Sequence, residues 1–200
     1  MSPPRSRVVI VGGNFAGLVA ASHLSSDHDV TVVDARADFE WTPNIHELLS
    51  GGKNREGVVL PRAECVNRYG HTFVQDVVTG IDRDSSSVTT ESGLALPYDA
   101  CLIAAGSVRT TFGVEGADEH AVGFRTVDDA ERIAARLDKL ATRKRPASVV
   151  IVGGGVSGVH GQRQGRGRAQ GGQLLPAPQD RADEQPQQPA VARGGLHRRG

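Results

Sequence analysis

Residues 7–17 read RVVIVGGNFAG, and the way this stretch is read settles the fold class. Arg7–Val11 is a short apolar run rich in β-branched side chains, the pattern of a parallel strand buried on both faces. Gly12–Gly17 is the turn that follows it. Ala16–Leu24 then continues as a helix with Leu18, Ala21 and Leu24 toward the sheet. Val30–Val33 (VTVV) supplies a second strand that ends at Asp34. Strand, glycine turn, helix and strand within about 30 residues make a βαβ unit.

A dinucleotide-binding turn has the pattern G-x-G-x-x-G. Its first glycine makes the tight turn, its second lets backbone approach a pyrophosphate, and its third lets helix and strand pack closely. The three positions here are Gly12, Asn14 and Gly17. Asn tolerates left-handed angles, so the turn survives, but its side chain stands where a phosphate should approach. Together with Gly13, Phe15 and Ala16 these residues form the expected phosphate cradle. The helix amides opening near Phe15 donate to the anion, helped by the helix dipole. Asp34 lies 22 residues after Gly12, placed to accept a hydrogen bond from a ribose 2′-hydroxyl. Ala35 adjoins it, and Arg36 either lies beside the adenosine or is merely exposed.

A second turn of the same kind stands 141 residues further on. Val149–Val152 (VVIV) is expected as a fresh strand entering Gly153-Gly154-Gly155-Val156-Ser157-Gly158, where Gly153, Gly155 and Gly158 complete the pattern. One such motif is weak evidence. Two of them, each behind a strand, imply two dinucleotide sites.

Between the two turns the pattern is mixed. Phe39–Gly52 is partly loop, marked by Pro43 and Gly51-Gly52. Pro61–Tyr69 reads as a helix with Pro61 in its first turn. His71–Val78 reads as a strand, Val88–Thr90 and Leu94–Leu96 as parts of a small meander, and Cys101–Ala105 as a buried strand closed by Gly106. Thr126–Lys139 is the clearest helix, with Thr126 or Asp128 as its cap and an apolar stripe of Ala130, Ile133, Ala134, Leu137 and Leu140.

The net formal charge of zero hides a split. Residues 1–160 carry 16 Lys and Arg against 20 Asp and Glu, whereas residues 161–200 carry 7 Arg against 3 acids. Gln occurs once before position 160 and eight times after it. A segment so poor in apolar residues cannot offset its ordering entropy, so residues 161–200 are expected to be disordered. Two distant cysteines, Cys65 and Cys101, exclude a disulfide-stapled secreted fold. No apolar run approaches the roughly 20 residues of a membrane-spanning helix. Gly12-Gly13-Asn14 interrupts the N-terminal apolar run, and no small-residue cleavage site follows closely, which disfavours a signal peptide. A cytoplasmic protein is expected.

The order VVIVGGNFAGLVAA, VTVVD, YDACLIAAGS and VVIVGGGVSGV resembles the FAD-dependent pyridine nucleotide-disulfide oxidoreductases over residues 7–159. Within that superfamily, FEWTPNIHELLSGG (Phe39–Gly52) looks like type II NADH dehydrogenases and sulfide:quinone reductase relatives. The implied fold is α/β: a Rossmann-like FAD-binding half-domain with a small β-meander over 1–113, a connection and helix over 114–147, the start of a second Rossmann NAD(P)H-binding domain over 148–160, and a disordered tail over 161–200. The resemblance implies that Pro43 and Asn44 lie near the isoalloxazine, that Val77 meets the adenine through its backbone, and that Ala105 and Gly106 border the flavin where relatives often have Ala-Thr-Gly. The implied reaction is hydride transfer from NAD(P)H to FAD, then electron transfer to a quinone or other small-molecule acceptor. The flavin carries that chemistry and needs no protein acid or base for hydride transfer, so no catalytic side chain is nominated. The resemblance also implies the peripheral membrane association often found in full-length relatives; no specific nucleic acid is expected.

Bland readings compete at several positions. His46 tunes the flavin or simply packs, and Trp41 stacks on flavin or quinone or fills a gap. Cys101 is a structural thiol in an apolar strand. Residues 38–50 contain no cysteine, which disfavours dithiol chemistry. A short-chain dehydrogenase would need Tyr-x-x-x-Lys, but Phe73 and Leu102 occupy the lysine positions after Tyr69 and Tyr98. The alternative to an enzyme is a non-catalytic nucleotide-binding remnant, or a nucleic-acid-binding protein with a basic tail. After Gly158 the sequence changes character within the motif, so residues from about His160 onward are expected to be out of frame or an artificial terminus. On that reading the chain is a truncated fragment that binds NADH weakly and FAD poorly.

Overall fold

The computed structural model describes residues 5–143, 148–153, 155 and 158. Its centre is a four-stranded parallel sheet built from β1 (Ser6–Val11), β2 (His28–Asp34), β5 (Thr72–Gln75) and β9 (Ala100–Ile103), in the order β5-β2-β1-β9. The β-branched run of β1 lies in the middle because it can bury both faces. Val9 and Ile10 are buried, and Val8–Val11 pair with Val30–Val33 on one side and with Ala100–Ile103 on the other. One face of the sheet packs on helix α1 (Phe15–His23) and helix α3 (Arg62–Asn67), where Ile10, Ala21, Val30, Val32 and Val66 form a core with Leu18 and Leu24. This is the helix face expected from the sequence. Each large side chain buried there contributes about 1.5–3 kcal/mol.

The opposite face meets an antiparallel meander, β6 (Val78–Asp82), β7 (Ser87–Thr90) and β8 (Ala95–Pro97), through Val9, Val11, Val33 and Val88. The single strand expected over His71–Val78 is in fact two. The chain turns at Asp76-Val77 and leaves the parallel sheet for the meander, because Asp76 Oδ1 takes the Val77 amide at 2.8 Å. Phe39–Gly52 holds more structure than its Pro and Gly suggest: β3 (Asp38–Glu40), a 3-10 turn over Thr42–Asn44 and helix α2 (His46–Ser50). β3 pairs antiparallel with β4 (Val59–Pro61). A one-turn helix, α4 (Ala117–His120), follows β9.

Helix α5 (Val127–Ala141) starts at Thr126, whose side chain and that of Asp129 form a reciprocal capping box. It docks on the first part of the chain. Val127, Ala130 and Ala134 bury against Ile45, Leu48, Leu49 and Val58. Glu40 Oε2 accepts the Val127 amide at 3.0 Å, and Arg55 reaches both Asp128 and Glu131.

The expected strand at Val149–Val152 is not one in the structure: residues 148–153 pair with no strand among the described residues. Val150 and Val152 are 84% and 92% exposed. A parallel strand has no hydrogen bonds of its own, so an apolar β-branched run cannot be a strand without neighbours. The expected disordered tail and the 160–200 frame change lie outside the described residues.

Arg7 and Asp99 tie the outer end of β1 to the chain entering β9. Asp99 accepts the Arg7 amide at 2.7 Å and Arg7 Nη2 at 2.8 Å. Arg7 hydrogen bonding holds the Asp99 carboxyl down from the usual 3.8 to about 2. A depressed carboxylate contributes stability above its ordinary titration range and loses it as the pH falls through the folded value. The stability difference between the native chain and Asp99→Asn should therefore shrink between 3.8 and about 2. Denaturant unfolding at a series of acidic pH values checks this, and a pH-independent difference would contradict it.

Candidate functional site

The site lies where β1, β2 and β9 end on the same side of the sheet. Gly12 leaves β1 with φ of +103°, and a Cβ there would stand 2.4 Å from the Ala104 carbonyl oxygen. The loop after β9, carrying Ala105 and Gly106, thus closes directly on the first turn. Only glycine permits both the backbone angle and the approach. At Gly17 an added Cβ would fall 1.9 Å from the Gly12 oxygen, the close helix–strand packing the motif requires.

The second fingerprint makes the same turn. Gly153 has φ of +107°, and a Cβ on Gly158 would lie 2.2 Å from the Gly153 oxygen and 3.5 Å from Ile151 Cγ2. The matching distances at the first turn are 1.9 Å to Gly12 O and 3.3 Å to Ile10 Cγ2. An added Cβ on Gly155 would meet nothing within 4 Å. Two turns of one shape therefore exist, although among the described residues only the first is built onto a paired strand.

Asp34 closes the first site from β2. Its Oδ2 accepts the Gly13 amide at 2.7 Å, and its Oδ1 accepts the Arg36 amide at 2.9 Å. Arg36 itself is exposed and leans on Glu40 at 3.4 Å. Ala35 is exposed, and its carbonyl accepts Gln75 Nε2 at 3.4 Å. Val77 comes beside Asp34 because the Asp76 amide donates to the Asp34 carbonyl at 3.0 Å. Its own amide is spent on Asp76 and its carbonyl accepts the Glu91 amide at 2.8 Å, so its free backbone capacity is one carbonyl lone pair.

The expected phosphate donor at Phe15 is engaged differently. Asn14 caps α1 and its Oδ1 accepts the Phe15 amide at 2.9 Å. The residue standing in for the middle glycine thus satisfies with its own side chain the helix amide that a phosphate would use; Ala16 is exposed beside it. Asn14→Gly removes that competitor at a cost of only a few tenths of a kcal/mol in capping, because glycine is itself an acceptable cap. We expect the variant to bind FAD roughly fivefold more tightly, the equivalent of one neutral hydrogen bond. Isothermal titration checks this, and weaker binding would mean that the Asn14 amide serves the phosphate.

Phe15 also reaches the segment expected at the flavin. Its ring lies 5.1 Å from Phe39 and 5.3 Å from Trp41. Trp41 is 45% exposed and donates from Nε1 to Asn44 Oδ1 at 3.2 Å. Pro43 is exposed in the same turn, and His46 Nδ1 stands 3.0 Å from the Pro43 carbonyl oxygen. Both cysteines are free and half-buried, and burial pushes the Cys101 thiol up.

Sequence reasoning missed Arg62. Its side chain is 3% exposed, yet it carries a guanidinium into the site. Nε donates to the Gly13 carbonyl at 2.6 Å, Nη1 to Asp34 Oδ1 at 3.0 Å, and Nη1 also to the Arg36 carbonyl. Burial lowers the guanidinium from its ordinary value, and the nearby Asp34 charge offsets part of that. The available signal was a cation at the first position of a helix, where the dipole disfavours it.

These features define a Rossmann-like dinucleotide-binding fold. The family model described as pyridine nucleotide-disulphide oxidoreductase matches residues 6–161, and the chain belongs to that family. A sulfide-quinone reductase of Aquifex aeolicus is 31% identical over 155 residues, covering 76% of this chain and 35% of the relative. A type II NADH:quinone oxidoreductase of Staphylococcus aureus is 28% identical over 172 residues, covering 80% and 42%. Among solved structures, NDH2 of Plasmodium falciparum superposes with a TM-score of 0.71 at 22% identity over 80% of this chain and 36% of its own. The sulfide:quinone oxidoreductase of Aquifex aeolicus gives 0.64 at 29% identity over 72% and 34%. The chain thus spans between a third and less than half of the length of these relatives.

Members of this family are FAD enzymes that use NADH. The residues present fit the adenosine diphosphate part of FAD. The first turn is free of side chains at Gly12, Gly13 and Gly17, a carboxylate stands at the end of β2, and an added Cβ at Gly106 would meet open space.

Proposed function

We propose that this chain holds FAD through its adenosine diphosphate end and forms the flavin-binding part of an NAD(P)H oxidoreductase whose acceptor is a quinone. Gly12–Gly17 hold the pyrophosphate, Asp34 the ribose, the Val77 carbonyl the adenine, and Pro43 with Ala105 and Gly106 border the ring system. When bound, the flavin accepts hydride and passes electrons on. The protein's share is placement: Phe15 and Trp41 wall the site with apolar surface, and the Gly12–Ala104 approach brings the β9 loop against the turn. Gly153, Gly155 and Gly158 form the NAD(P)H turn. The run before them, residues 148–153, pairs with no strand among the described residues, which predicts much weaker affinity for NADH than for FAD.

The observation that carries this reading is the repeated turn, Gly12 to Gly17 and Gly153 to Gly158, with the same carbonyl under each third glycine. Trp41 is the sole tryptophan and packs on Phe15 within the turn, so FAD titration should quench its fluorescence saturably. Failure of FAD to bind would sink the reading. With FAD bound, bleaching of the flavin band by NADH and its return on adding a quinone tests the reaction itself.

A further inference from the structure

Asp34 is unusually committed for a carboxylate expected to grip a ribose. A carboxylate offers about four acceptor positions, two on each oxygen. Oδ1 takes two donors, the Arg36 amide and Arg62 Nη1. Oδ2 takes one, the Gly13 amide. Among the described residues that leaves a single acceptor position, on Oδ2, the oxygen next to the glycine turn. Arg62 also spans the site, since one guanidinium donates to the turn after β1 at Gly13 and to the loop after β2 at Arg36. It enters from the start of α3, a third element, and is nearly fully buried.

We propose that Arg62 is a specificity-determining positioning residue: by saturating Asp34 Oδ1 it turns the carboxylate into an acceptor for one ribose hydroxyl rather than a two-pronged grip on both. The ligand class is an adenosine diphosphate carrying free ribose hydroxyls. This deepens the FAD reading and rests on it.

Charge-assisted hydrogen bonds lie behind the expected size of the effect. Losing one from a buried site weakens binding by about tenfold or more. Isothermal titration of the full chain with ADP, 2′-deoxy-ADP and 3′-deoxy-ADP should show one deoxy analogue binding about tenfold weaker than ADP and the other within about twofold of it. In Arg62→Met the Gly13 and Arg36 amides still hold the carboxylate while one acceptor position on Oδ1 opens, so both deoxy analogues should now bind about tenfold weaker than ADP. FMN, which lacks the adenosine, should be affected by less than about twofold in the same variant. Arg62→Lys should recover part of the hydroxyl discrimination. A merely structural arginine would weaken ADP and FMN alike and leave discrimination intact, which would overturn the proposal. So would equal penalties for both deoxy analogues in the unsubstituted chain. Should Arg62→Met fail to fold, the two deoxy analogues on the native chain and the Lys variant decide the matter. Binding of neither ADP nor FAD removes the flavoprotein reading and this one together; FAD binding without hydroxyl discrimination removes only this one.

Discussion

Gly17→Ala should lower the unfolding midpoint severely, while the matching change Gly158→Ala should leave the melting curve nearly untouched. The added methyl at Gly17 would sit 1.9 Å from the Gly12 oxygen, 3.0 Å from its carbonyl carbon and 3.3 Å from buried Ile10. None of these can yield cheaply, since Gly12 is locked between β1 and the Ala104 carbonyl and Ile10 lies in the main core. The cost should exceed about 4 kcal/mol, the range reserved for severe packing conflicts, against a total of only about 5–15 kcal/mol for a domain. At Gly158 the local clash is nearly the same, 2.2 Å to the Gly153 oxygen. The run before it, however, pairs with nothing among the described residues, and Val150 and Val152 face solvent. Relaxation there disturbs no core among the described residues, so the change should stay within about 0.5 kcal/mol. Thermal unfolding of the two variants beside the native chain makes the comparison. Equal destabilisation would mean that the second turn sits in a packed sheet after all.

Asp34→Asn carries the second large effect, through hydrogen-bond polarity rather than size. Three donors face the carboxylate: the Gly13 amide, the Arg36 amide and Arg62 Nη1. An amide side chain keeps one acceptor oxygen and turns an NH2 toward the rest, so at least one donor is left facing a donor. The Arg62 guanidinium also loses its counter-charge while only 3% exposed, and a buried charge without its partner is expensive. The expected loss is about 2–3 kcal/mol of stability, together with loss of measurable ADP binding. Denaturant midpoints and titration report the two effects separately. A variant as stable as the native chain would show that water satisfies these donors.

Much of this was legible because it is local. The β-branched run Val8–Val11 followed by Gly12 dictates a buried strand and a sharp turn with no help from distant residues, and the α5 stripe with its Thr126 cap is equally self-contained. The misreadings came from places where neighbours decide. At Asp76-Val77 the chain leaves the parallel sheet where the Val77 carbonyl takes the amide of Glu91, a partner 14 residues on that no periodicity announces. Phe39–Gly52 becomes ordered because Leu48 and Leu49 find α5, which begins 77 residues after Ser50. Val149–Val152 shows the converse: its pattern is as strand-like as that of β1, yet strand structure is a property of pairs.

By itself the sequence determined the two glycine turns, the parallel βαβ unit around the first and the carboxylate at the end of β2, because backbone angles and side-chain periodicity act over a few residues. Only the tertiary structure decided what that carboxylate can do. Arg62 comes to Asp34 from 28 positions away and, with the Arg36 amide, fills Oδ1, and Asn14 folds back on the amide kept for phosphate. Hydrogen-bond saturation depends on which groups converge in space, and that information does not exist until the sheet, the turn and α3 have packed.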